Sequence, residues 1–305
     1  MENWFSYLML ILAVFCIAGQ FLTTKLYQNC VKQALITSLF FVLLSSVVTL
    51  IMFWVYNGFT FGKITSYSLV LAVVVSAMMV VYNVISIKIL SLGEVSIYSM
   101  FMMLGGMIVP FVEGIFADSN TNKLKITNTI GLMLLTFFLV YQVWGVKTAE
   151  ATKKKFYALC IAMFFINGTV GVLCSLQSNP KAEAMTATDF TILKSVIMAF
   201  MSLVLIGLLF LKKDSLKSNL PDIKTAIKIK PMVVGAVCAA VSALGGFLQL
   251  VANEKVPNTV QYPIVTGGTI VFTAVAAYFF FKEKQDKKST VCLVGTFFST
   301  ILFVF

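Results

Sequence analysis

The sequence contains no histidine and no arginine, and only 11% of its 305 residues are charged. Without histidine, the chain has no imidazole for metal binding, for serine- or cysteine-based catalysis or for proton relay. Without arginine, it cannot hold a phosphate or a carboxylate through a bidentate guanidinium. The six cysteines stand far apart, with no CxxC motif, which argues against a disulfide framework. We therefore expect that the protein is not an enzyme and needs no metal and no cofactor.

Long hydrophobic runs dominate the sequence. Apolar residues make up 59% of the chain and its mean hydropathy is +0.96, more than a soluble domain carries. A spanning helix needs about 20 mostly apolar residues, and the runs are too long and too evenly apolar for barrel strands. The sequence therefore predicts an all-α integral membrane protein with ten transmembrane helices. The predicted spans are residues 4–24, 35–57, 67–88, 93–117, 127–146, 156–178, 187–211, 231–253, 259–281 and 289–305.

The lysines divide unequally between the two sides of the membrane that this topology defines. Seventeen lie in the loops that follow the odd-numbered spans, and five lie in the loops of the other side. The positive-inside rule places the lysine-rich side in the cytoplasm, so both termini are predicted outside. The net charge of +11 is then an orientation signal and requires no nucleic-acid partner. We expect a multi-pass protein of a bacterial cytoplasmic membrane, with the lipid bilayer as its partner.

The two halves of the chain, residues 1–147 and 148–305, share a glycine pattern. The sequence Gly-Gly-x-Ile-Val occurs at 105–109 in the fourth run and at 267–271 in the ninth. Two similar halves of five spans enter the membrane in opposite directions, because five is odd. The pattern therefore predicts two inverted five-helix repeats, the arrangement of secondary transporters with a substrate site near the midplane between the repeats.

The second half also carries a family resemblance. The stretch Val256–Val271, followed by Phe-Phe-Phe-Lys-Glu-Lys ending at Lys284 and by Gly295, resembles spans 3 and 4 of the small multidrug resistance proteins. It is similar as well to the end of an EamA domain, and both families belong to the drug/metabolite transporter superfamily. Ten spans in two halves match the EamA-type transporters over the whole chain. The resemblance implies alternating-access transport of small metabolites, driven by an ion gradient or by exchange. The proton-coupling glutamate of the small multidrug resistance proteins has no acidic counterpart at 17–20 or 166–167.

Polar side chains inside the apolar runs are candidate site residues, because burying them in hydrocarbon is costly. The charged ones, Glu113 and Lys194, are predicted to pair across the outer half of a cavity, where substrate or a proton competes for them. The alternatives are a glutamate that reaches outer water and a lysine that snorkels. The uncharged ones either bind substrate or bond only between helices. The predicted substrate-binding residues are Gln20, Tyr82, Asn83, Tyr98, Glu113, Asn167, Lys194, Gln249, Gln261 and Tyr262.

In the resembling transporters, spans 1, 3, 4, 6, 8 and 9 contribute to the central cavity, and the uncharged candidates fall on these spans. Spans 5 and 10 look comparatively bare of buried polar groups, which fits packing or support helices. Glycine pairs permit close helix approach or a bend, and a proline removes a backbone hydrogen bond. These residues either form hinges or only shape the helices. The predicted gating or hinge residues are Gly105, Gly106, Pro110, Pro263, Gly267 and Gly268.

Together these features predict a secondary active transporter that exports a small organic metabolite or a drug-like solute. The scarcity of buried acids favours a neutral or zwitterionic solute over a dication. A coupling proton or ion is left open, as is the choice between monomer and homodimer. The alternative is a flippase for a lipid or a lipid-linked intermediate on the same fold, which a cavity open sideways to the bilayer would favour.

Overall fold

A computed structural model describes residues 2–117, 126–144, 151–177, 184–211, 221–253 and 258–302. In these ranges the chain forms ten long α-helices, with no strand. A short helical segment at 221–226 precedes the eighth long helix. The helices are α1 Glu2–Cys30, α2 Leu35–Tyr56, α3 Ser66–Leu92, α4 Val95–Ala117, α5 Ile126–Val143, α6 Ala151–Gln177, α7 Ala187–Leu211, α8 Ile229–Asn253, α9 Asn258–Phe281 and α10 Lys287–Ile301.

Each predicted apolar run coincides with one of these helices. Within the described residues, nine helices, α1 to α9, are long and apolar enough to cross a bilayer. Helix α10 has 15 residues, and at 1.5 Å per residue this is about 22 Å, less than the hydrocarbon core of about 30 Å. The prediction of an all-helical membrane protein is therefore confirmed. The tenth complete span stays a prediction.

Large apolar side chains face outward along the helices. On α5, Met133 is 67% exposed and Phe137 is 58% exposed. Soluble monomers rarely expose contiguous apolar surface on this scale, whereas spanning helices present such surface to hydrocarbon. The protein is therefore a multi-pass membrane protein. The backbone N–H and C=O groups of each spanning helix pair within that helix, as hydrocarbon requires.

The helices group into two compact units. Unit 1 comprises Met1–Leu22, Leu92–Thr169 and Leu244–Phe305, and unit 2 comprises Thr23–Ser91 and Val170–Ala243. Both units draw helices from both halves of the chain. Unit 1 contains α4 and α5 of the first half with α9 and α10 of the second, whereas unit 2 contains α2 and α3 with α7 and most of α8.

In unit 1, α4 packs against α9 and α5 packs against α10. The carboxylate of Glu283, just after α9, accepts a hydrogen bond from the backbone N–H of Val95 at 2.9 Å, at the start of α4. The amide of Gln142, near the end of α5, donates to Ser289 Oγ at 3.0 Å, near the start of α10. In each pair the end of one helix meets the start of the other, so both pairs are antiparallel.

In unit 2, α2 packs along α7. Asn57, directly after α2, donates from Nδ2 to Asp189 Oδ1 at 3.0 Å, in the first turn of α7. The backbone N–H of Asp189 donates to Thr186 Oγ1 at 3.1 Å, and the same hydroxyl donates to Asp189 Oδ2 at 2.8 Å. Thr186 therefore caps α7 by accepting this backbone N–H, and the Asp189 carboxylate links the cap to the antiparallel contact with α2.

Candidate functional site

The first glycine pair lies where α4 crosses α6 in unit 1. A Cβ atom on Gly105 would lie 2.1 Å from the backbone oxygen of Phe164. On the facing helix, a Cβ on Gly168 would lie 2.4 Å from Val109 and 2.7 Å from the backbone oxygen of Gly105. The two backbones therefore touch here, as small residues permit in membrane helices. Helix α4 stays helical through this crossing and through Pro110.

Two predicted site residues meet beside this crossing, at Met102. Asn167 of α6 donates from Nδ2 to the backbone oxygen of Met102 at 2.8 Å. Tyr98, only 2% exposed, donates from its hydroxyl to Met102 Sδ at 3.2 Å. The ring of Phe21 lies edge-on to Tyr98, with centroids 5.6 Å apart. Helices α1, α4 and α6 thus surround one small polar group of an amide and a phenol, both uncharged.

The second glycine pair lies on α9. A Cβ on Gly268 would lie 3.1 Å from Val14 of α1, and a Cβ on Gly267 would lie 2.4 Å from Thr300 Oγ1 of α10. Just beyond the pair, Thr269 and Thr273 stand one turn apart and are fully buried. Their hydroxyls have no hydrogen-bond partner among the described residues. This face of α9 therefore holds two neutral groups that can still donate or accept a hydrogen bond.

The other predicted residues of unit 1 are less well defined. Gln20 and Gln249 are half-buried, and each has an interaction partner. Glu113 is half-buried near the end of α4. Gln261, Tyr262 and Pro263 belong to α9, but their side chains lie outside the described part of the structure.

Unit 2 contains the remaining three predicted residues. Tyr82 is buried on α3, and Asn83 donates its amide to the backbone oxygen of Met79, one turn earlier in the same helix. Lys194 is half-buried, and its backbone oxygen accepts a hydrogen bond from Ser76 Oγ at 3.0 Å. Asn83 therefore bonds within its own helix. Glu113 and Lys194 belong to different units, so their pairing stays a prediction.

Spans 5 and 10 carry more buried polar groups than the sequence suggested. Gln142 of α5 is 1% exposed, and its amide donates to Tyr157 Oη and to Ser289 Oγ, each at 3.0 Å. Helix α10 also buries Thr296 and Thr300. The expectation that these spans are bare is wrong, because hydroxyl side chains are inconspicuous in an apolar run. Gln142 stands near the end of its run, where a polar residue is expected to lie at the membrane–water interface.

The connection between α9 and α10 supplies two helix caps that the sequence did not reveal. Besides bonding Val95, Glu283 accepts a hydrogen bond from the Ser96 hydroxyl at 3.0 Å. Asp286 accepts the backbone N–H of Ser289 at 2.7 Å as the N-cap of α10. The Ser289 hydroxyl and N–H, together with nearby lysines, hold the pKa of the Asp286 carboxyl below its usual range. Both acids therefore stabilise the positive ends of helix dipoles.

The polar groups of unit 1 can bind an uncharged or zwitterionic group through hydrogen bonds. Among the described residues, no three acidic or cysteine side chains gather closely enough to hold a metal ion. Comparison with models of known protein families gives no match, and no curated protein matches the sequence significantly.

Proposed function

We propose that this chain is a secondary active transporter that exports a small organic metabolite or a drug-like solute by alternating access. The substrate binds near the membrane midplane, between helices of the first half and helices of the second. The halves, residues 1–147 and 148–305, are two inverted five-helix repeats of the EamA type in the drug/metabolite transporter superfamily. The lysine-rich loops face the cytoplasm, because seventeen lysines against five is a strong orientation signal.

One observation carries this proposal: corresponding helices of the two halves pack against each other. The second, fourth and fifth helices of the first half are α2, α4 and α5, and their counterparts are α7, α9 and α10. All three pairs are in contact, each within one unit. Elements related by a two-fold axis touch their own counterparts where they lie next to the axis. Such pairing supports an inverted repeat, and inverted repeats build transporters with a site between the repeats.

The substrate class follows from the polar groups near the glycine pairs. Tyr98 and Asn167 lie on α4 and α6, and Thr269 and Thr273 lie on α9. These side chains carry donors and acceptors but no charge, so they suit a neutral or zwitterionic solute. A dication would need buried carboxylates beside these groups. The acid well inside the apolar run of α4 is Glu113, and it is only half-buried, so it does not favour a dication.

A pair of asparagine variants tests this proposal. Asn167 ties two helices from different halves, whereas Asn83 bonds within α3. In proteoliposomes we expect at least one amino acid, nucleoside or drug to move under an imposed ion gradient. Asn167→Ala should reduce that transport at least tenfold. Asn83→Ala should leave it near the wild-type rate, because the proposed site rests on the polar groups of unit 1 and no longer includes Asn83, whose amide bonds within α3. A first screen for solutes that raise the melting temperature would narrow the panel, because a ligand of the folded state stabilises it.

The proposal is wrong if no solute moves under any gradient although the protein is folded. Equal losses in Asn167→Ala and Asn83→Ala would also contradict the placement of the site. A loss of stability in Asn167→Ala that matches its loss of transport would indicate a structural role for this amide. Melting temperatures of both variants therefore accompany the transport rates.

A flippase for a lipid or a lipid-linked intermediate is the second candidate, and one observation favours it. An apolar groove in unit 1, between α4, α5 and α6, is open to the side; we call it the α4–α6 groove. Its lining includes Phe101, Ile108, Val140, Trp144, Ile161 and Phe165. None of the predicted substrate-binding residues lines this groove, so a lipid site here would be separate from the proposed solute site. Translocation of a fluorescent lipid in proteoliposomes, faster than in protein-free liposomes, would favour the flippase over the solute transporter.

A further inference from the structure

The α4–α6 groove is large enough for a defined ligand. Its volume is about 440 Å³, within the range of about 300–1,000 Å³ that is usual for small-molecule sites. The groove is open on the outer surface of unit 1, since two of its lining side chains are exposed: Trp144 by 74% and Phe165 by 58%. The hydroxyl of Thr136 on the wall donates to the backbone oxygen of Leu132 in its own helix. The groove therefore offers an apolar surface that suits a hydrocarbon chain.

A lysine stands at one end of the groove. Trp144, directly after α5, lines this end, and its backbone oxygen accepts a hydrogen bond from Lys288 Nζ. The same ammonium lies 5.4 Å from the centroid of the Tyr141 ring. Two contacts therefore hold this charge beside the groove, although an ammonium has three donors and retains others for a ligand.

A second lysine lies on the α6 wall at the same end. Positions 154, 158, 161 and 165 follow each other at helical spacing, and all four are exposed. Ile161 and Phe165 line the groove, so Lys154 lies on the same stripe, about two turns nearer the start of α6. The start of α6 is adjacent to the end of α5, because Gln142 bonds to Tyr157 across these helices.

The acids at this end of unit 1 leave a positive excess. Asp286 and Glu283 accept hydrogen bonds from the first residues of α10 and α4, and Glu94 stands at the start of α4 and has a partner. The lysines at this end outnumber these acids and are Lys153, Lys154, Lys155, Lys282, Lys284, Lys287 and Lys288. The predicted topology places this end at the cytoplasmic surface, the leaflet in which anionic lipids concentrate.

We propose that the α4–α6 groove binds an anionic phospholipid. One acyl chain lies along the apolar wall, and the phosphate lies between the ammonium groups of Lys154 and Lys288. Basic pockets between membrane helices on the cytoplasmic side hold such headgroups. The wall alone would accept the chain of any lipid, so the two lysines supply the selection by headgroup. This lipid is a bound partner of the protein and is not the transported solute.

The quenching of one tryptophan tests this site in the full-length protein. The chain has three tryptophans, and Trp4→Phe with Trp54→Phe leaves Trp144 in the groove as the reporter. The protein is reconstituted in phosphatidylcholine bilayers that contain a small fraction of lipid with brominated chains, either phosphatidylglycerol or phosphatidylcholine. We expect brominated phosphatidylglycerol to quench Trp144 more strongly, and high salt to reduce the difference.

Charge-removing variants assign the headgroup contact. Lys154→Gln and Lys288→Gln should each lower the relative association constant of phosphatidylglycerol about fivefold, since a lysine near the surface contributes about 1 kcal/mol to anionic lipid binding. Lys63→Gln, which changes an exposed lysine of unit 2, is the matched control and should have no effect. Lys288 contacts Trp144 directly, so Lys288→Gln can change the emission of Trp144 even without a quencher. In that case the result for Lys154→Gln, on α6, tests the headgroup contact.

Equal quenching by the two brominated lipids would overturn the proposal, as would a preference that both lysine variants retain. If neither brominated lipid quenched Trp144, the proposal would also be wrong. A disulfide-linked dimer of Phe165→Cys would then show that a second copy of the protein covers the groove. None of these measurements depends on transport, so this site stands or fails independently of the proposed function.

Discussion

The two glycine pairs look alike in the sequence but make different contacts. Gly105 of α4 faces the backbone of Phe164, whereas Gly267 of α9 faces the side chain of Thr300. Backbone in the middle of a helix cannot move aside without moving the helix, but a hydroxyl side chain can rotate. The same motif therefore forms a rigid crossing in α4 and a more yielding contact in α9.

The neighbours of the two pairs nevertheless correspond. Gly105 and Gly106 pack against α6, the first helix of the second half, and Gly268 packs against α1, the first helix of the first half. An inverted repeat predicts this exchange of partners. From the closer crossing at Gly105 we predict that, if one of these pairs is a hinge, it is the pair in α9.

The largest expected effect is that of Gly105→Ala. The new Cβ would lie 2.1 Å from the Phe164 oxygen and 2.7 Å from its carbonyl carbon and Cα, so α4 and α6 must separate. Overpacking a core costs about 1–3 kcal/mol and sometimes more, and this variant should lie above that range. We expect the detergent-solubilised protein to lose its cooperative thermal transition or to melt far below the wild type.

Gly246→Ala is the matched control for this prediction. Gly246 also belongs to a glycine pair in a spanning helix, but a Cβ there would meet nothing within 4 Å. Its melting temperature should stay near that of the wild type. If Gly105→Ala and Gly246→Ala melt alike, the close crossing of α4 and α6 does not exist as described.

A smaller loss is expected from Gly267→Ala. Its Cβ would lie 2.4 Å from Thr300 Oγ1 and 3.3 Å from Phe297 Cδ2, and rotation of the threonine can relieve the closer contact. The cost should fall within the range of about 1–3 kcal/mol for overpacking. Thr300→Ala should rescue most of it, so that the double variant melts close to Thr300→Ala alone. Strict additivity of the two changes would contradict the contact, because side chains that touch are coupled.

The helices could be predicted well from the sequence because each one forms through hydrogen bonds between residues that are close in the chain. An apolar run of span length must bond its own backbone groups in hydrocarbon, so α2 and α7 coincide with their runs almost to the residue. The ends are less accurate where the helix continues into lysines: α1 extends past Lys25 to Cys30. The ammonium of Lys25 reaches the backbone oxygen of Leu90 at the end of α3, which run length does not predict.

The candidate site could be predicted only in part. Asn167 is a candidate from the sequence because an amide inside an apolar run is conspicuous, but its partner, a backbone oxygen of α4, carries no sequence signal. Gln142 and Glu283 were missed because both stand at the ends of runs, where polar residues usually meet water. Nor could the pairing of helices be predicted, since helices that are apolar on all sides show no preferred face.

The third prediction concerns the hydrogen bonds that connect α9 to the start of α4. Glu283, just after α9, accepts hydrogen bonds from Val95 and Ser96 at the start of α4. Glu283→Ala should cost about 0.5–2 kcal/mol, as the loss of an N-terminal cap does. Glu283→Gln should cost less, because its side-chain oxygen can still accept one bond. Lys284→Ala, one residue away and exposed, is the control; if its melting temperature falls as far as that of Glu283→Ala, the cap is not the cause.

The smallest effect concerns Asp286, the N-cap of α10, the helix that carries Thr300. Its pKa is lowered by the hydroxyl and the N–H of Ser289, so folding favours the ionised carboxylate over the protonated form. A carboxyl with a lowered folded pKa stabilises the protein above its unfolded pKa, about 3.9 for aspartate, and this contribution is lost as the pH falls through the folded pKa. Asp286→Asn keeps a capping side chain but removes the charge, so at neutral pH it should melt only slightly below the wild type. The difference in melting temperature should shrink on acidification, because protonated aspartate and asparagine are both uncharged caps. A difference that stayed constant at low pH would mean that the carboxylate charge does not stabilise α10.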